Sequence, residues 1–192
     1  MKKIGLFGGT FDPVHNGHIE IAKSFLGSNF IDELWILLTP FPPHKSAEFN
    51  VSYSWRYEML KCAFRDINCS ILTIENELST PSYTFRTIKH LKTEFPDHKF
   101  FFCMGEDSLE KFDTWRHYER ILEEADLLVA QRPKTDHNNV LPEILEKTHF
   151  VNHEPIEISS SEIKARINDP GFLSKNLPDK VISIIEKENL YR

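Results

Sequence analysis

Short apolar runs alternate with longer stretches of helical pattern along most of this 192-residue chain. The runs are rich in β-branched and aromatic residues, as buried strands are. The predicted strands lie at residues 4–7, 34–38, 71–74, 100–104 and 127–130, with a weak sixth at 150–151. The predicted helices or helical turns between them lie at residues 17–25, 54–64, 83–94 and 109–124. This alternation predicts βαβ units and an α/β fold, with a central parallel sheet flanked by helices.

The C-terminal part of the chain, from Ser159 onward, has helical patterns without a further strand-like run. Helices are predicted at residues 160–167 and 178–188. Pro178 falls near the first turn of the second helix, where the fixed φ of proline suits a helix. The sequence shows no internal repeat and no stretch that resembles a linker. We therefore expect a single domain over residues 1–192, a length that one hydrophobic core can serve.

Composition narrows the class of protein. Hydrophobic residues make up 40% and charged residues 27% of the chain, which is typical of a folded soluble protein. The sequence has no apolar run of the roughly 18 residues that a membrane helix needs, and no signal peptide, so we expect a cytoplasmic protein. A net charge of −6 argues against a general nucleic-acid coat protein. The cysteines Cys62, Cys69 and Cys103 show no paired spacing and suit buried thiols in a reducing compartment.

The segment from Gly8 to His18 is the most informative about chemistry, and it reads GGTFDPVHNGH. It begins where the first predicted strand ends and finishes as the first helix begins, and ligands of open parallel sheets bind at such places. Gly8 and Gly9 have no Cβ and leave room for a phosphate close to the backbone, and Thr10 adds a hydroxyl. The following helix points its N–H groups and the positive end of its dipole at the same place. The segment therefore predicts an anion site.

His15 and His18 are three residues apart, a spacing that places both imidazoles on one face of a helical turn. There they can donate hydrogen bonds to a phosphate or to charge that develops on it. Tight packing of a glycine-rich turn is the plainer alternative. The segment is neither a dinucleotide-binding G-x-G-x-x-G pattern nor a P-loop. An H-x-x-H pair without a third ligand of suitable spacing does not predict a metal site.

The full pattern G-G-T-F-D-P-x-H-x-G-H resembles the signature of the nucleotidyltransferase superfamily, the small adenylyl- and cytidylyltransferases with an H-x-G-H motif. Along nearly its whole length the chain is similar to the bacterial nicotinate-nucleotide adenylyltransferases. The other segments that carry this resemblance are Pro42-Pro43-His44-Lys45, Arg56 with Met59-Leu60, Pro81-Ser82-Tyr83-Thr84-Phe85, Met104-Gly105-Glu106-Asp107-Ser108 with Trp115, Arg132-Pro133, Ile158-Ser159-Ser160-Ser161, and Leu177-Pro178-Asp179-Lys180-Val181 with Asn189-Leu190-Tyr191.

The resemblance implies a Rossmann-like nucleotidyltransferase fold and a reaction. Nicotinate mononucleotide would attack the α-phosphate of ATP and give deamido-NAD and pyrophosphate, with Mg2+ accompanying ATP. No covalent enzyme intermediate is expected, so catalysis would consist of positioning and charge neutralisation. The partners implied are ATP and nicotinate mononucleotide, with neither nucleic acid nor membrane. The resemblance leaves open whether the protein forms a homo-oligomer.

The resemblance also implies roles for individual residues. The catalytic residues would be His15 and His18, which contact phosphate, and Lys45, on a loop that can close over phosphates. Trp115 would stack on the nicotinate ring, and the backbone of Thr84 would lie near its carboxylate. The residues implied to bind the acceptor are His44, Lys45, Thr84 and Trp115. The residues implied to bind ATP are Gly8, Gly9, Thr10, Phe11, His15, His18, Gly105, Asp107, Ser159, Ser160, Ser161 and Lys164.

Local chemistry gives some of these residues a plainer role. Asp107 could be only a helix cap, and Ser160 or Ser161 is the expected N-cap hydroxyl of the helix that follows. The sequence also departs from the family pattern at three positions. Lys164 stands where the family often has arginine and lacks the bidentate fork of arginine. Arg86 stands where an aspartate is common, and Arg116 stands where an aromatic residue is common.

Two other functions remain compatible with the sequence. The first is an adenylyltransferase that uses nicotinamide mononucleotide or another phosphorylated acceptor. Phosphopantetheine is disfavoured as that acceptor, because enzymes acting on it usually have threonine in place of His15. The second is a non-catalytic module that binds nucleotides, since a fold alone does not decide a function. Release of pyrophosphate from ATP in the presence of an acceptor distinguishes these functions.

Overall fold

The computed structural model of the protein describes residues 1–42, 51–132 and 137–192. The strands are β1 (Lys3–Gly9), β2 (Glu33–Leu38), β3 (Cys69–Leu72), β4 (Lys99–Gly105), β5 (Ala125–Gln131) and β6 (Thr148–Asn152). The helices are α1 (Asn16–Gly27), α2 (Tyr53–Ala63), α3 (Thr84–Glu94), α4 (Glu106–Leu109), α5 (Tyr118–Glu124), α6 (Pro142–Leu145), α7 (Ser160–Ala165), α8 (Pro170–Asn176) and α9 (Asp179–Lys187). Two 3-10 turns lie at Ile74–Asn76 and Phe112–Thr114.

The six strands form one parallel sheet in the order β3-β2-β1-β4-β5-β6. The strand order reverses between β1 and β4, which are neighbours in the centre of the sheet. This is the Rossmann order, and ligands of such sheets bind outside the carboxyl ends of the strands at the reversal. The expected fold is therefore confirmed. No helix in the three described ranges combines the length and the apolarity needed to cross a membrane.

Both faces of the sheet are covered, which explains the nearly continuous apolar runs of its central strands. In β1, Ile4 and Leu6 face one apolar cluster, whereas Phe7 faces the other. The Phe7 cluster is closed by side chains of α1, α2 and α9, and the opposite cluster by side chains of α3 and α5. The C-terminal helices thus pack on the same face of the sheet as α1.

The structure shifts or divides several predicted elements. β3 runs from Cys69 to Leu72, two residues earlier than predicted, because pairing with β2 places Cys69 opposite Leu34 and leaves Ile74 in a 3-10 turn. The predicted helical region 109–124 is broken, and His117 takes a left-handed φ of 56° before α5.

The short helices α6 and α8 were not predicted. A signal for α8 was present in the sequence, because Pro170 occupies its first position and the Asp169 carboxylate accepts a hydrogen bond from the Phe172 N–H at 3.0 Å. Of the three free cysteines, Cys103 is buried as expected, and Cys62 and Cys69 are partly exposed.

Substitution of Gly5 in β1 tests how closely the sheet packs against the side chains that cover it. A Cβ at this position would lie 2.6 Å from Ile31 Cδ1 and 2.9 Å from Cys103 Sγ, whereas a Cβ at Gly27 would meet no atom within 4 Å. We expect Gly5→Ala to lower the free energy of unfolding by about 1–3 kcal/mol through overpacking. Gly27→Ala, the matched control, should change it by less than about 1 kcal/mol or stabilise α1. Equal free energies of unfolding for the two variants in urea denaturation would contradict this packing.

Candidate active site

The segment between β1 and α1 lies at the carboxyl end of β1, where the strand order reverses. β1 ends at Gly9, whose carbonyl accepts a hydrogen bond from the Thr39 N–H at 2.9 Å. His15 is the N-cap of α1 and has an extended backbone, with φ −144° and ψ 171°. The predicted glycine-rich turn into a helix N-terminus is therefore present, and His15 and His18 both lie on its first turn.

The two imidazoles are stacked, with ring centroids 3.7 Å apart and planes inclined by 33°. The backbone N–H of His15 donates a hydrogen bond to Nδ1 of His18 at 3.2 Å. An accepting Nδ1 carries no proton, so the neutral His18 ring carries its proton on Nε2 and presents it as a donor. The helix N-cap thus sets the tautomer of the second histidine.

Both histidines are uncharged at neutral pH. Burial lowers the pKa of His15 to about 4. Burial, followed by repulsion from His15, lowers the pKa of His18 well below its ordinary value. The buried Nδ1 of His15 has no hydrogen-bond partner among the described residues. Each ring can therefore donate a hydrogen bond to an anion without carrying a positive charge.

Gly17 allows the close packing of His15. A Cβ at position 17 would lie 3.0 Å from Nδ1 of His15 and 3.1 Å from Cγ2 of Ile158. Gly8 differs, because a Cβ there would meet its nearest atom only at 3.9 Å. The glycine of the H-x-G-H motif thus serves packing, whereas the open side of Gly8 faces a cavity.

Two cavities contact the β1–α1 segment. The first, which we call the Trp115 cavity, is lined by Gly8, Gly9 and Thr10 together with residues of β2, α3 and the region before α5. The second, the Arg132 cavity, is lined by His15 and His18 together with residues at the ends of β4, β5 and β6. Of the residues predicted to bind ATP, Gly8, Gly9 and Thr10 thus line the Trp115 cavity, and His15, His18 and Gly105 line the Arg132 cavity. The other predicted residues line neither, and these are Phe11, Asp107, Ser159, Ser160, Ser161 and Lys164.

The Trp115 cavity combines aromatic and cationic side chains. Trp115 is fixed by an edge-to-face contact with Phe102, with centroids 5.7 Å apart, and Thr84, at the start of α3, lies in the same cavity. Arg116 also lines the cavity, and its guanidinium donates to the Tyr83 hydroxyl at 3.2 Å. Thr84 and Trp115, the two predicted acceptor contacts in the described part of the chain, therefore lie together.

The two arginines that depart from the family pattern meet at Tyr83. The guanidinium carbons of Arg86 and Arg116 lie 5.1 and 5.0 Å from the centre of the Tyr83 ring. Arg86 also donates to the Ser79 carbonyl at 3.3 Å and does not line the cavity. The charge at position 86 thus serves local packing, whereas the charge of Arg116 is available to a ligand.

Glu75, which the sequence analysis missed, lies in the wall of the Trp115 cavity. It is 7% exposed, and Oε1 accepts a hydrogen bond from the Thr87 hydroxyl at 2.9 Å. Burial raises its pKa, and its Oε2 has no hydrogen-bond partner among the described residues. The raised pKa favours the uncharged acid and reduces the repulsion of an anionic ligand.

The Arg132 cavity is bounded by Gly105 and Glu106 at the end of β4. The buried Glu106 carboxylate accepts the Arg132 backbone N–H at 2.9 Å and lies 2.6 Å from Nε2 of His137. Asp107, predicted to bind ATP, instead points to the surface with an exposed side chain and pairs with the Arg132 guanidinium at 3.1 Å. Glu106, which the sequence analysis did not assign, lies in the cavity wall, whereas Asp107 does not.

The serines before α7 are arranged differently from expectation. Ser159, rather than Ser160 or Ser161, is the N-cap, and its hydroxyl accepts the Glu162 N–H at 3.1 Å. The hydroxyl of Ser160 instead donates to the Pro13 carbonyl at 2.9 Å. Because Pro13 belongs to the β1–α1 segment, α7 is tied directly to that segment.

Asp12 joins the β1–α1 segment to distant parts of the chain. Its buried carboxylate accepts hydrogen bonds from Tyr191 Oη at 2.8 Å and from Lys164 Nζ at 3.1 Å. The buried Arg56 donates to the carbonyls of Thr10 and Thr39 at 2.7 and 3.0 Å. The predicted phosphate contact Lys164 therefore already has a carboxylate partner, although its side chain is 31% exposed.

Phe11 does not line either cavity. Its ring is 1% exposed and packs edge-to-face on His18 at 4.9 Å, with the backbone at φ 45°. Phe11 therefore supports the His18 ring from the core side. The predicted contacts His44 and Lys45 lie outside the described residues. In the described ranges, no three His, Cys, Asp or Glu side chains converge in a group that could hold a metal ion.

The family model described as cytidylyltransferase-like matches residues 6–166, so the chain belongs to this class of nucleotidyltransferases. The chain is 38% identical over 190 residues to a probable nicotinate-nucleotide adenylyltransferase of Exiguobacterium sibiricum, with 98% of each chain covered. It is 34% identical to the nicotinate-nucleotide adenylyltransferase of Bacillus subtilis, with 100% of this chain and 99% of the relative covered. Within its class, the chain therefore belongs to the nicotinate-nucleotide adenylyltransferases, and the resemblance stated from the sequence is confirmed.

The fold is also found in a solved structure. Plasmodium falciparum nicotinic acid mononucleotide adenylyltransferase complexed with NaAD superimposes with a TM-score of 0.82 at 22% identity, covering 100% of this chain and 98% of that chain. At this identity the likeness establishes the fold alone.

The hydrogen bond from Tyr191 to Asp12 is testable without an activity assay. Tyr191→Phe removes only the hydroxyl and leaves a buried carboxylate with one partner fewer. We expect a loss of about 1.5–3 kcal/mol in the free energy of unfolding, the range for a hydrogen bond to a charged group. Tyr57→Phe is the control, because no described residue forms a hydrogen bond with the Tyr57 hydroxyl. Urea denaturation of both variants measures the difference, and equal stabilities would show that Tyr191 does not support Asp12.

Proposed function

We propose that this protein transfers AMP from ATP to nicotinate mononucleotide, forming deamido-NAD and releasing pyrophosphate in NAD biosynthesis. The observation that carries the proposal is the stacked pair His15–His18 at the N-terminus of α1, in a β1–α1 segment that contacts two cavities. Transfer between two substrates needs two binding places that meet at one phosphate site. The names of the full-length relatives support the choice of substrates.

The ATP is proposed to occupy the Arg132 cavity. Its walls are largely apolar, with Ile21 of α1 on one side and Pro155, Ile156 and Ile158 on the other, as a flat base requires. The phosphates would lie at the N-terminus of α1, where backbone N–H groups and the helix dipole favour anions. The α-phosphate would then be within reach of His15 and His18.

The nicotinate mononucleotide is proposed to occupy the Trp115 cavity. The face of Trp115 suits a pyridine ring. Arg116 brings a positive charge to the cavity wall, and the first N–H groups of α3 near Thr84 lie beside it. A carboxylate on the ring would gain from both, whereas an uncharged amide would gain little from the charge. This arrangement favours the acid over nicotinamide mononucleotide.

The chemical step needs little proton transfer. A phosphate oxygen of the acceptor, already anionic, attacks the α-phosphorus, and the bond to the pyrophosphate oxygen breaks. Negative charge then redistributes over the phosphoryl oxygens, and the Nε2–H of His18 is a preorganised donor toward them. Because both histidines are neutral, His15 and His18 act by hydrogen bonding and positioning. Lys45 is proposed to add positive charge over the phosphates.

Mg2+ is proposed to enter bound to the phosphates of ATP, as part of that substrate, and to neutralise charge on the leaving pyrophosphate. We also propose that one domain over residues 1–192 carries the activity, since all six strands belong to one sheet. A cytoplasmic location is proposed, because the substrate ATP is abundant there.

Pyrophosphate release tests the proposed function directly. Purified protein with ATP and Mg2+ is assayed with nicotinate mononucleotide, nicotinamide mononucleotide or phosphopantetheine as acceptor. We expect the highest kcat/KM with nicotinate mononucleotide. A higher value with either of the other acceptors would retain the mechanism and overturn the substrate. ATP binding without release with any acceptor would indicate a non-catalytic nucleotide-binding module.

His18 separates the catalytic role of the pair from its structural role. Asparagine offers an Oδ1 that can accept the His15 backbone N–H, as Nδ1 of His18 does, but it lacks the Nε2–H donor. We expect His18→Asn to keep most of the wild-type stability and to lose about 10²–10³-fold in kcat, as does the removal of one preorganised donor. His18→Ala should lose similar turnover and more stability. Wild-type kcat in a folded His18→Asn variant would remove His18 from the mechanism.

A further inference from the structure

His153 is a titratable residue in the Arg132 cavity that the proposed chemical step does not use. It follows β6 directly, and its backbone N–H donates to the Gln131 carbonyl at 3.3 Å, which aligns it with the end of β5. One ring nitrogen, Nδ1, lies 3.0 Å from the hydroxyl of Ser24 on α1. The imidazole is therefore held between β6 and α1, in the cavity proposed to take ATP.

The hydrogen bonds of Ser24 fix the tautomer of His153. The Ser24 hydroxyl lies 3.1 Å from the carbonyl oxygen of Glu20, which can only accept, so the single hydroxyl proton points at Glu20. The hydroxyl oxygen must then accept from His153, and Nδ1 carries the ring proton. Nε2, the nitrogen left for a ligand, is a bare acceptor as long as the ring is neutral.

The surroundings keep this ring neutral. Partial burial and the nearby positive charge of Arg132 lower the pKa of His153, and Glu20 opposes them with a smaller effect. Its other neighbour in the cavity, Glu106, is engaged with the Arg132 N–H and with His137. The lowered pKa favours the neutral ring, in which Nε2 is an acceptor rather than a donor.

The position of His153 matches the base end of a bound nucleotide. His18 and Ser24 are six residues apart on α1, about 9 Å along the helix axis. One helix thus presents a phosphate donor at its first turn and, six residues later, the serine that orients His153. Between them Ile21 contributes an apolar wall. Since His18, Ile21 and His153 line the same cavity, a nucleotide with its phosphates at His18 would have room for its base near His153.

We propose that His153 selects adenine as the base of the nucleotide substrate by accepting a hydrogen bond at Nε2 from the 6-amino group. A purine with a 6-oxo group would face Nε2 with an acceptor and leave both groups unpaired, which is costly in a partly buried site. A purine with hydrogen at C6 would lose the hydrogen bond without repulsion. This inference rests on the proposed function in placing ATP in the Arg132 cavity.

The test compares three nucleotides that differ at C6: ATP, purine riboside triphosphate and inosine triphosphate. For the wild type we expect KM to rise about three- to tenfold from ATP to the purine riboside, the value of one neutral hydrogen bond, and further for the inosine nucleotide. His153→Phe keeps a flat ring without an acceptor. In this variant, KM for ATP and for the purine riboside should become equal within twofold, with kcat nearly unchanged. An undiminished preference for ATP in the folded variant would overturn the proposal.

Two further variants distinguish recognition of the base from a merely structural effect of the substitution at His153. His153→Gln carries an amide that can accept or donate, so it should retain ATP and admit inosine triphosphate. Ser24→Ala leaves His153 in place but removes the hydroxyl that fixes its tautomer. Alanine in α1 favours the helix. The preference of Ser24→Ala for ATP over the purine riboside should fall between those of the wild type and His153→Phe. Rejection of inosine triphosphate by His153→Gln as strong as in the wild type would contradict base reading.

Direct binding separates this proposal from the proposed function. Calorimetric titration of the full chain with ATP and purine riboside triphosphate, without acceptor, measures base preference even if no acceptor is turned over. A preference of the wild type for ATP that His153→Phe abolishes would support the proposal even in a protein that releases no pyrophosphate. Equal affinities for the two nucleotides in the wild type would overturn it, whatever the acceptor assays show.

Discussion

The buried carboxylate of Asp12 is the contact on which the rest of the site depends. A buried charge is costly unless it is paired and hydrogen bonded, so Asp12 requires both of its partners, Tyr191 and Lys164. The requirement also works in reverse, because these partners fix the segment between β1 and α1 against the C-terminal helices. Arg56 holds the neighbouring carbonyls from the α2 side. The imidazole pair begins three residues after Asp12 and inherits this rigid support.

Among the described residues, the groups at the N-terminus of α1 are neutral donors rather than charges. The chain carries a net charge of −6, and the two histidines at the helix N-terminus are held neutral by burial. Burial likewise raises the pKa of Glu75 above its ordinary value. Neutral donors in a partly buried site need no counter-ion, and they rearrange little as charge moves during the transfer. The exposed arginine in each cavity, Arg116 or Arg132, can then add attraction at its edge.

The sequence predicted the parallel sheet, its strands in chain order, most of the helices and the glycine-rich turn into the first helix, because all of these depend on local patterns of few residues. It did not predict the side chains that contact this turn from distant parts of the sequence. Tyr191 and Lys164 lie 179 and 152 residues from Asp12 in the sequence. No local sequence pattern predicts contacts over such separations. Glu106 and His153 were missed for the same reason, since their roles depend on Arg132 and Ser24. The N-cap was predicted at Ser160 or Ser161 and lies at Ser159, because three serines in a row offer equivalent hydroxyls. The contacts of Ser159 with Glu162 and of Ser160 with Pro13 separate them.

The bond between Asp12 and Tyr191 also has a consequence for the order in which the molecule matures. A chain emerges from the ribosome N-terminus first, so β1 and the glycine-rich turn are made early and can begin to fold early. Their anchor arrives only when residue 191 has been synthesised. Until then Asp12 is without its hydroxyl partner, and Lys164 is the partner available to its carboxylate. The strands that precede residue 191 can therefore pair during synthesis before the contact with Tyr191 completes the support of Asp12.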